Sequence, residues 1–351
     1  MAATSGSGAT HWDVLRHRPL LAVVVAVGLA ACSSSGGSRS PSSTRTAPSP
    51  TPSTVPVAAG VTPTGDRVDH TLVTPDERTR TYRSYVPSGL LPDVPVPLVV
   101  ALHGGTGWGT QFETNSGFDS LAEANHFIVV YPDGVGVGAN GAQLRTWNGG
   151  TCCGAAARQA VDDVGFVGQL IDAMEQHYAI DRHRVYVVGH SNGAILGERL
   201  ACELSDRIVA IGVQAGSLGI DHCRPTRPVS ALMLHGTADQ NVPIDGGVGA
   251  RSIAGVSFRS PRRSAAILAG AMGCPHRPRA AVERSNPDLR TTTWSPCRQA
   301  TTVEFVAVRG APHAWMGHPS PSPALQRVVG VPYPGLDASR TIWTFLAQQR
   351  R

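Results

Sequence analysis

One serine in the chain has a glycine two residues to either side, Gly189-His190-Ser191-Asn192-Gly193, with the apolar run Val185–Val188 before it and a helix-like stretch after it. A serine hydroxyl is a poor nucleophile until a base takes its proton during attack. A sharp strand-to-helix turn would expose that hydroxyl. The turn would also crowd the backbone two residues each way, which glycine relieves by lacking a Cβ. The helix that follows would aim its N-terminus, with its partial positive charge, at any oxyanion forming beside Ser191. The Asn192 amide is then one natural donor to that oxyanion. The amides of Gly105 and Thr106, in the loop after "PLVVAL", are candidates for the second. Further along, "ALML" is followed by His235-Gly236-Thr237-Ala238-Asp239, and "TVEFVAV" is followed, past "RGAP", by His313. The expected roles are His313 as base and Asp239 as the carboxylate that holds its ring in one tautomer. The rivals are Asp245 for the acid and His318 for the base. Asp239 and His313 are preferred because each follows its strand sooner.

These residues need strands that deliver them to one edge. Short, continuous apolar runs at 96–103, 126–132 and 184–189, and in "IVAIGVQAG", "VSALMLHG" and "TVEFVAV", suit strands buried on both faces. Between them, 118–125, 161–177, 193–204, "RRSAAILAGAMG" and "ASRTIWTFLAQQ" have helical spacing. In 161–177 the apolar face is Val164, Val167, Leu170, Ile171 and Met174. Residues 78–87 alternate like one strand of a hairpin. The alternation predicts an α/β chain with a mostly parallel central sheet and helices on both faces. In such sheets, sites lie beyond the carboxyl ends of the strands. All the residues above fall there, in the order Ser, Asp, His.

His190 and His235 are expected to be packing or hydrogen-bonding neighbours rather than catalysts, and His103 to support the loop after its strand. Asp162 and Asp163 are expected to begin a helix. Trp147 and Trp315 are candidates to line a substrate pocket.

The N-terminal part differs from the rest. Arg16 and Arg18 precede an apolar run from Leu20 to Ala31, too short to span a bilayer comfortably and suited to a secretory signal. It closes on Leu29-Ala30-Ala31-Cys32, which resembles a lipobox. Residues 1–31 are therefore expected to be a signal peptide and Cys32 the lipidated first residue. Residues 32–64, rich in Ser, Thr, Pro and Gly, cannot bury enough to offset their ordering and are expected to form a tether. Residues 65–351 are the expected catalytic domain. This organisation predicts an extracellular or cell-surface protein, anchored to the membrane by lipid or released from it.

The formal charge is +5, and all 30 basic residues are arginines spread along the chain rather than clustered. That argues against nucleic acid as a partner. Beyond Cys32 six cysteines remain, with no spacing typical of a zinc site, so disulfides are expected. Cys274 with Cys297 and Cys202 with Cys223 are the favoured pairs. They would leave the neighbours Cys152 and Cys153, whose pairing needs an uncommon geometry. Spacing alone does not choose the connectivity, and nothing in it speaks to oligomeric state.

The segments "LVVALHGGTG", "YPDG", "TWNGGTCCG", "VDDVGFV", "VYVVGHSNGA", "LHGTADQNVPIDGG" and "APHAWMG" occur in this order from about residue 70 onward. As a set they resemble the secreted polyhydroxybutyrate depolymerase and feruloyl esterase-like proteins. With the lipobox, the chain is most similar to the LpqC-type lipoprotein esterases among them. The resemblance implies an α/β-hydrolase fold, no metal or organic cofactor, and a triad falling on Ser191, Asp239 and His313. It implies a serine carboxylic-ester hydrolase working through an acyl-enzyme on a small or oligomeric ester. Two other readings stand beside it: a serine peptidase or amidase on the same scaffold, and a catalytically idle surface-binding lipoprotein. Where relatives often have "GHTWPG", this chain has "PHAWMG" (312–317), which bears on pocket shape. Secreted depolymerases of solid polyester usually carry an added polymer-binding module, and the lack of a recognisable one here weakens insoluble polyester as the expected substrate.

Overall fold

The computed structural model describes residues 61–138, 141–320 and 322–351. The expected signal peptide, the expected lipidation at Cys32 and the expected tether as far as residue 60 lie outside the described residues.

The strands, in chain order, are β1 (Asp66–Val73), β2 (Thr79–Val86), β3 (Val96–Leu102), β4 (Ile128–Pro132), β5 (Val135–Val137) and β6 (Gln143–Thr146). They continue with β7 (Ile180–His190), β8 (Ala210–Gln214), β9 (Ser230–Gly236), β10 (Arg279–Val282), β11 (Leu289–Trp294) and β12 (Val303–Val308). The helices are α1 (Gly109–Ser116), α2 (Phe118–Asn125), α3 (Gly154–Arg158) and α4 (Asp163–His177). After them come α5 (Asn192–Glu203), α6 (Pro261–Ala271), α7 (Pro323–Val329) and α8 (Ala338–Leu346).

Ten strands form one sheet in the order β1-β2-β4-β3-β7-β8-β9-β12-β11-β10, and β5 and β6 pair separately. The six central strands, β4 to β12, are parallel, while β1, β2, β10 and β11 add antiparallel edges. Parallel pairs need crossovers, and the helices supply them on both faces. The alternation of β3 shows the two layers. Leu98, Val100 and Leu102 pack with α4, α5 and α6. Val99 and Ala101 face the opposite layer, with Phe112, Phe127 and Trp343. This is the α/β-hydrolase fold.

The chain runs from β3 outward to β4, then returns to β7 on the other side of β3 before continuing to β8, β9 and β12. The strand order therefore reverses between β3 and β7, and their ends form the crevice where such sheets hold ligands. Leu102 pairs with Gly189 in this register, so the loop after β3 and the turn after β7 leave the sheet side by side.

Helix α4 begins later than its apolar pattern suggests. Asp162 caps it by accepting from the Gly165 amide at 2.8 Å. Phe166 joins Val167, Leu170, Ile171 and Met174 on the buried face, and Val164 is only half-buried. The three disulfides join Cys152 to Cys153, Cys202 to Cys223 and Cys274 to Cys297.

Candidate active site

Strand β7 ends on a turn that ordinary residues avoid. Ser191 has φ 54° and ψ −119°, a sparsely populated conformation that persists only where its surroundings impose it. The Ser191 amide donates to the Gln214 carbonyl at 2.9 Å, and the Ser191 carbonyl accepts from Ile195 at 3.0 Å in the first turn of α5. Both flanking glycines are required. A Cβ on Gly189 would stand 2.4 Å from the Gly193 carbonyl oxygen, and one on Gly193 would stand 2.3 Å from that of Leu102.

The loop after β12 brings the His313 ring to this serine. His313 Nε2 lies 2.8 Å from Ser191 Oγ, and Nδ1 lies 2.7 Å from Asp239 Oδ2. A carboxylate can only accept, so Nδ1 carries the proton and Nε2 is free to take one from the serine. Asp239, in the turn after β9, accepts through Oδ1 from the Asn241 and Val242 amides at 2.8 and 2.9 Å. Burial pushes its carboxyl up, but His313 and the Val242 amide outweigh that and hold it below the ordinary value. It is therefore ionised where the imidazole needs it. The rivals stand elsewhere: His318 Nε2 is 3.1 Å from Asp337, and Asp245 is exposed.

Several neighbours fix the histidine loop. His190 donates from Nε2 to the His313 carbonyl at 2.8 Å, and His235 donates likewise to the Val242 carbonyl. Gln214, fully buried at the end of β8, donates to the Ala314 carbonyl at 2.9 Å and accepts from the Met316 amide at 3.1 Å. Sequence reasoning passed over Gln214. The signal available was an amide side chain closing an otherwise apolar strand.

The loop after β3 faces the serine turn. A Cβ on Gly104 would lie 3.5 Å from Ser191 Cβ, and one on Gly105 would lie 3.5 Å from Asn192 Cβ. The Asn192 amide stands in the first turn of α5, where no helical acceptor exists. Thr106 does not fit the donor role expected of it, because its amide already donates to the Arg145 carbonyl at 2.7 Å. The Gly105 and Asn192 amides, for which no acceptor is found among the described residues, are the remaining candidates for the donor pair at this corner. His103 donates from Nδ1 to the Gly104 carbonyl and accepts at Nε2 from the Gly134 amide at 2.9 Å. One donor and one acceptor make it the neutral imidazole, in keeping with burial lowering its pKa to about 4.

Trp147 is not a pocket wall. Its ring is fully buried and donates to the His103 carbonyl at 2.9 Å, while the Asn192 side chain clamps its backbone through 2.7 and 2.9 Å hydrogen bonds. Asp163 does more than begin α4. It pairs with Arg80 at 2.7 Å in a fully buried contact and accepts from the Asn148 amide, which ties down the same segment.

A cavity of about 290 Å³ opens beside Ser191. Phe112, Ile195, Val242, Phe258 and Trp315 give it apolar walls, and Trp315 donates its indole proton outward to Ser339 at 2.9 Å. Its outer edge is built from Val137, Leu144, Ile253 and Val328, all exposed.

The sequence model of the Esterase PHB depolymerase family matches residues 80–262. A bifunctional acetylxylan esterase/xylanase of Neocallimastix patriciarum is 26% identical over 230 residues, covering 66% of this chain and 30% of that protein. Feruloyl esterase B of Piromyces equi is 28% identical over 235 residues, covering 65% of this chain and 41% of that one. The chain therefore spans less than half the length of either relative. Among solved structures, an acetyl xylan esterase from Aspergillus awamori superposes with a TM-score of 0.51 at 17% identity, covering 71% of this chain and 94% of that one. At such identity the likeness is one of fold.

Proposed function

Because the chain belongs to the PHB depolymerase family of esterases, we propose that it hydrolyses carboxylic esters through an acyl-enzyme formed on Ser191. Ser191 Oγ attacks the ester carbonyl while its proton passes to His313 Nε2. The carbonyl oxygen, now an alkoxide, is met by the amides of Gly105 and Asn192. Asp239 stabilises the imidazolium without taking its proton. The alkoxide collapses, the C–O bond to the alcohol breaks, and the alcohol leaves with the proton from His313. Water then repeats the sequence on the acyl-serine, releasing the acid and restoring the hydroxyl.

The observation that carries this reading is the unbroken line from Asp239 through His313 to Ser191, at 2.7 and 2.8 Å, ending on a strained turn. Ser191→Ala and His313→Ala should each lower kcat for a nitrophenyl ester by about 10⁴-fold or more, with the thermal midpoint nearly unchanged. Turnover retained in either variant would refute the assignment. Cleavage of amides but not esters would favour a peptidase instead.

The signal-like run and Cys32 support export with a lipid on that cysteine, working on esters outside the cell. Mass analysis of the mature N-terminus should find a diacylated Cys32. An unmodified or uncleaved terminus would remove that part of the reading.

A further inference from the structure

The cavity beside Ser191 is uneven in charge. Among the described residues no aspartate, glutamate or lysine lines it, and one arginine does, Arg158 at the end of α3. Most arginines near the site already have partners: Arg80 is held by Asp163, Arg145 by Asp133 and Arg259 by Asp221 and two carbonyls. The guanidinium of Arg158 makes no hydrogen bond or ion pair with the described residues, and its side chain is exposed.

Nothing in the local fold requires a guanidinium at this position. Helix α3 is five residues long, so its dipole offers a cation little. It is secured instead by the burial of Ala155 and Ala156 and by the Ala156 amide donating to Thr146 Oγ1 at 3.1 Å. Cys153, Gly154 and Ala155 of the same segment also line the cavity, so Arg158 stands on the wall that a bound ester would touch. The opposing negative charge nearest the chemistry, Asp239, is engaged by His313 and two amides and does not cancel Arg158.

We propose that Arg158 is a specificity residue that receives an ionised carboxylate carried by the ester itself, so that esters bearing a second, free carboxyl group are favoured. A guanidinium suits this role because its planar fork matches both carboxylate oxygens, and because it stays charged throughout the pH range in which the acid is ionised. The attraction acts in an open mouth, so it is moderate and weakens with salt.

This inference rests on the ester-hydrolase reading, and its test keeps the two apart. Two matched pairs of esters are compared by kcat/KM. The first is the 4-nitrophenyl hemiester of adipate against 4-nitrophenyl hexanoate, which places the carboxylate on the acyl side. The second is 4-acetoxybenzoate against 4-tolyl acetate, which places it on the alcohol side. The ratio of anionic to neutral ester is read within each protein, so that a general loss of folding or turnover cancels. In at least one pair the ratio should fall about threefold to fivefold in Arg158→Gln and further in Arg158→Glu, and the wild-type ratio should shrink as salt is raised. Ratios in both pairs that are unmoved by either substitution overturn the role of Arg158 alone. Failure of the wild type to hydrolyse any of the four overturns the esterase reading beneath it.

Discussion

The floor of the cavity and its outer edge are built on opposite principles. On the floor and directly beneath it, Ser191, Asn192, Asp239, His313 and Gln214 each make two or more hydrogen bonds to backbone or to one another, and only Ser191 is more than slightly exposed. On the edge, Leu144 is 60% exposed and Ile253 is 68% exposed, and helix α7 buries none of its residues. The first region is over-determined, which is what allows a strained serine to persist. The second is held by little, so its side chains can change with small effect on the fold. In the proposed function, chemistry would thus sit on the fixed part and recognition on the replaceable part.

The sharpest break in that contrast is a methyl group on the floor. Gly193→Ala places a Cβ against the Leu102 and His103 carbonyls, at 2.3 and 2.5 Å, with backbone on both sides and nothing able to yield cheaply. It should cost several kcal/mol and leave little soluble folded protein, as judged by expression and circular dichroism. A normal melting curve would mean that the turn is less constrained than its geometry implies.

Acid should loosen the floor next. Burial lowers the His190 pKa to about 4, helped by the neighbouring His313, and burial lowers His103 to about 4 as well. Below the unfolded value of about 6.5, the unfolded chain binds protons that these folded imidazoles refuse. Stability is therefore full above about pH 6.5 and is lost as pH falls towards about 4, by up to about 3 kcal/mol for each histidine. Asp119, pushed up to about 7 by burial, works in the opposite direction over much of this range. The trend is therefore read as a difference between proteins: His190→Gln should show a shallower loss of thermal midpoint between pH 7 and pH 4.5 than the wild type. Equal slopes would count against a neutral, buried His190.

The smallest effects belong to the edge. Ile253→Ser and Val328→Ser should each change kcat/KM for an acetyl ester by less than about threefold and leave stability within about 0.5 kcal/mol. A longer acyl chain should feel them through KM. A large loss of kcat on the acetyl ester would show that the edge takes part in ordering the floor.

How much of this could be read in the sequence follows the same division. The central strands are continuous apolar runs, and the polar residues just past them stood out by position alone. Ser191, Asp239 and His313, far apart in the chain, lie in one hydrogen-bonded line. Strands β1 and β10 went unseen because they are largely exposed edges without apolar alternation, and α7 because it has no buried stripe. The Arg80–Asp163 pair spans 83 positions, and local patterning carries no trace of such a partner. The engagement of the Thr106 amide, a candidate donor by sequence, is hidden for a similar reason: its acceptor, the Arg145 carbonyl, comes from a hairpin that no apolar pattern announces. Trp147, read as a wall, is an internal strut of the loop that holds Asn192.

The claim on which all of this depends is that one hydroxyl, on Ser191, is made nucleophilic by its place in the fold. Incubation with a fluorophosphonate, followed by peptide mass mapping, tests it most directly. One label per chain is expected, on Ser191, with ester turnover lost in proportion to labelling. A label on another residue, or undiminished turnover in fully labelled protein, would contradict it.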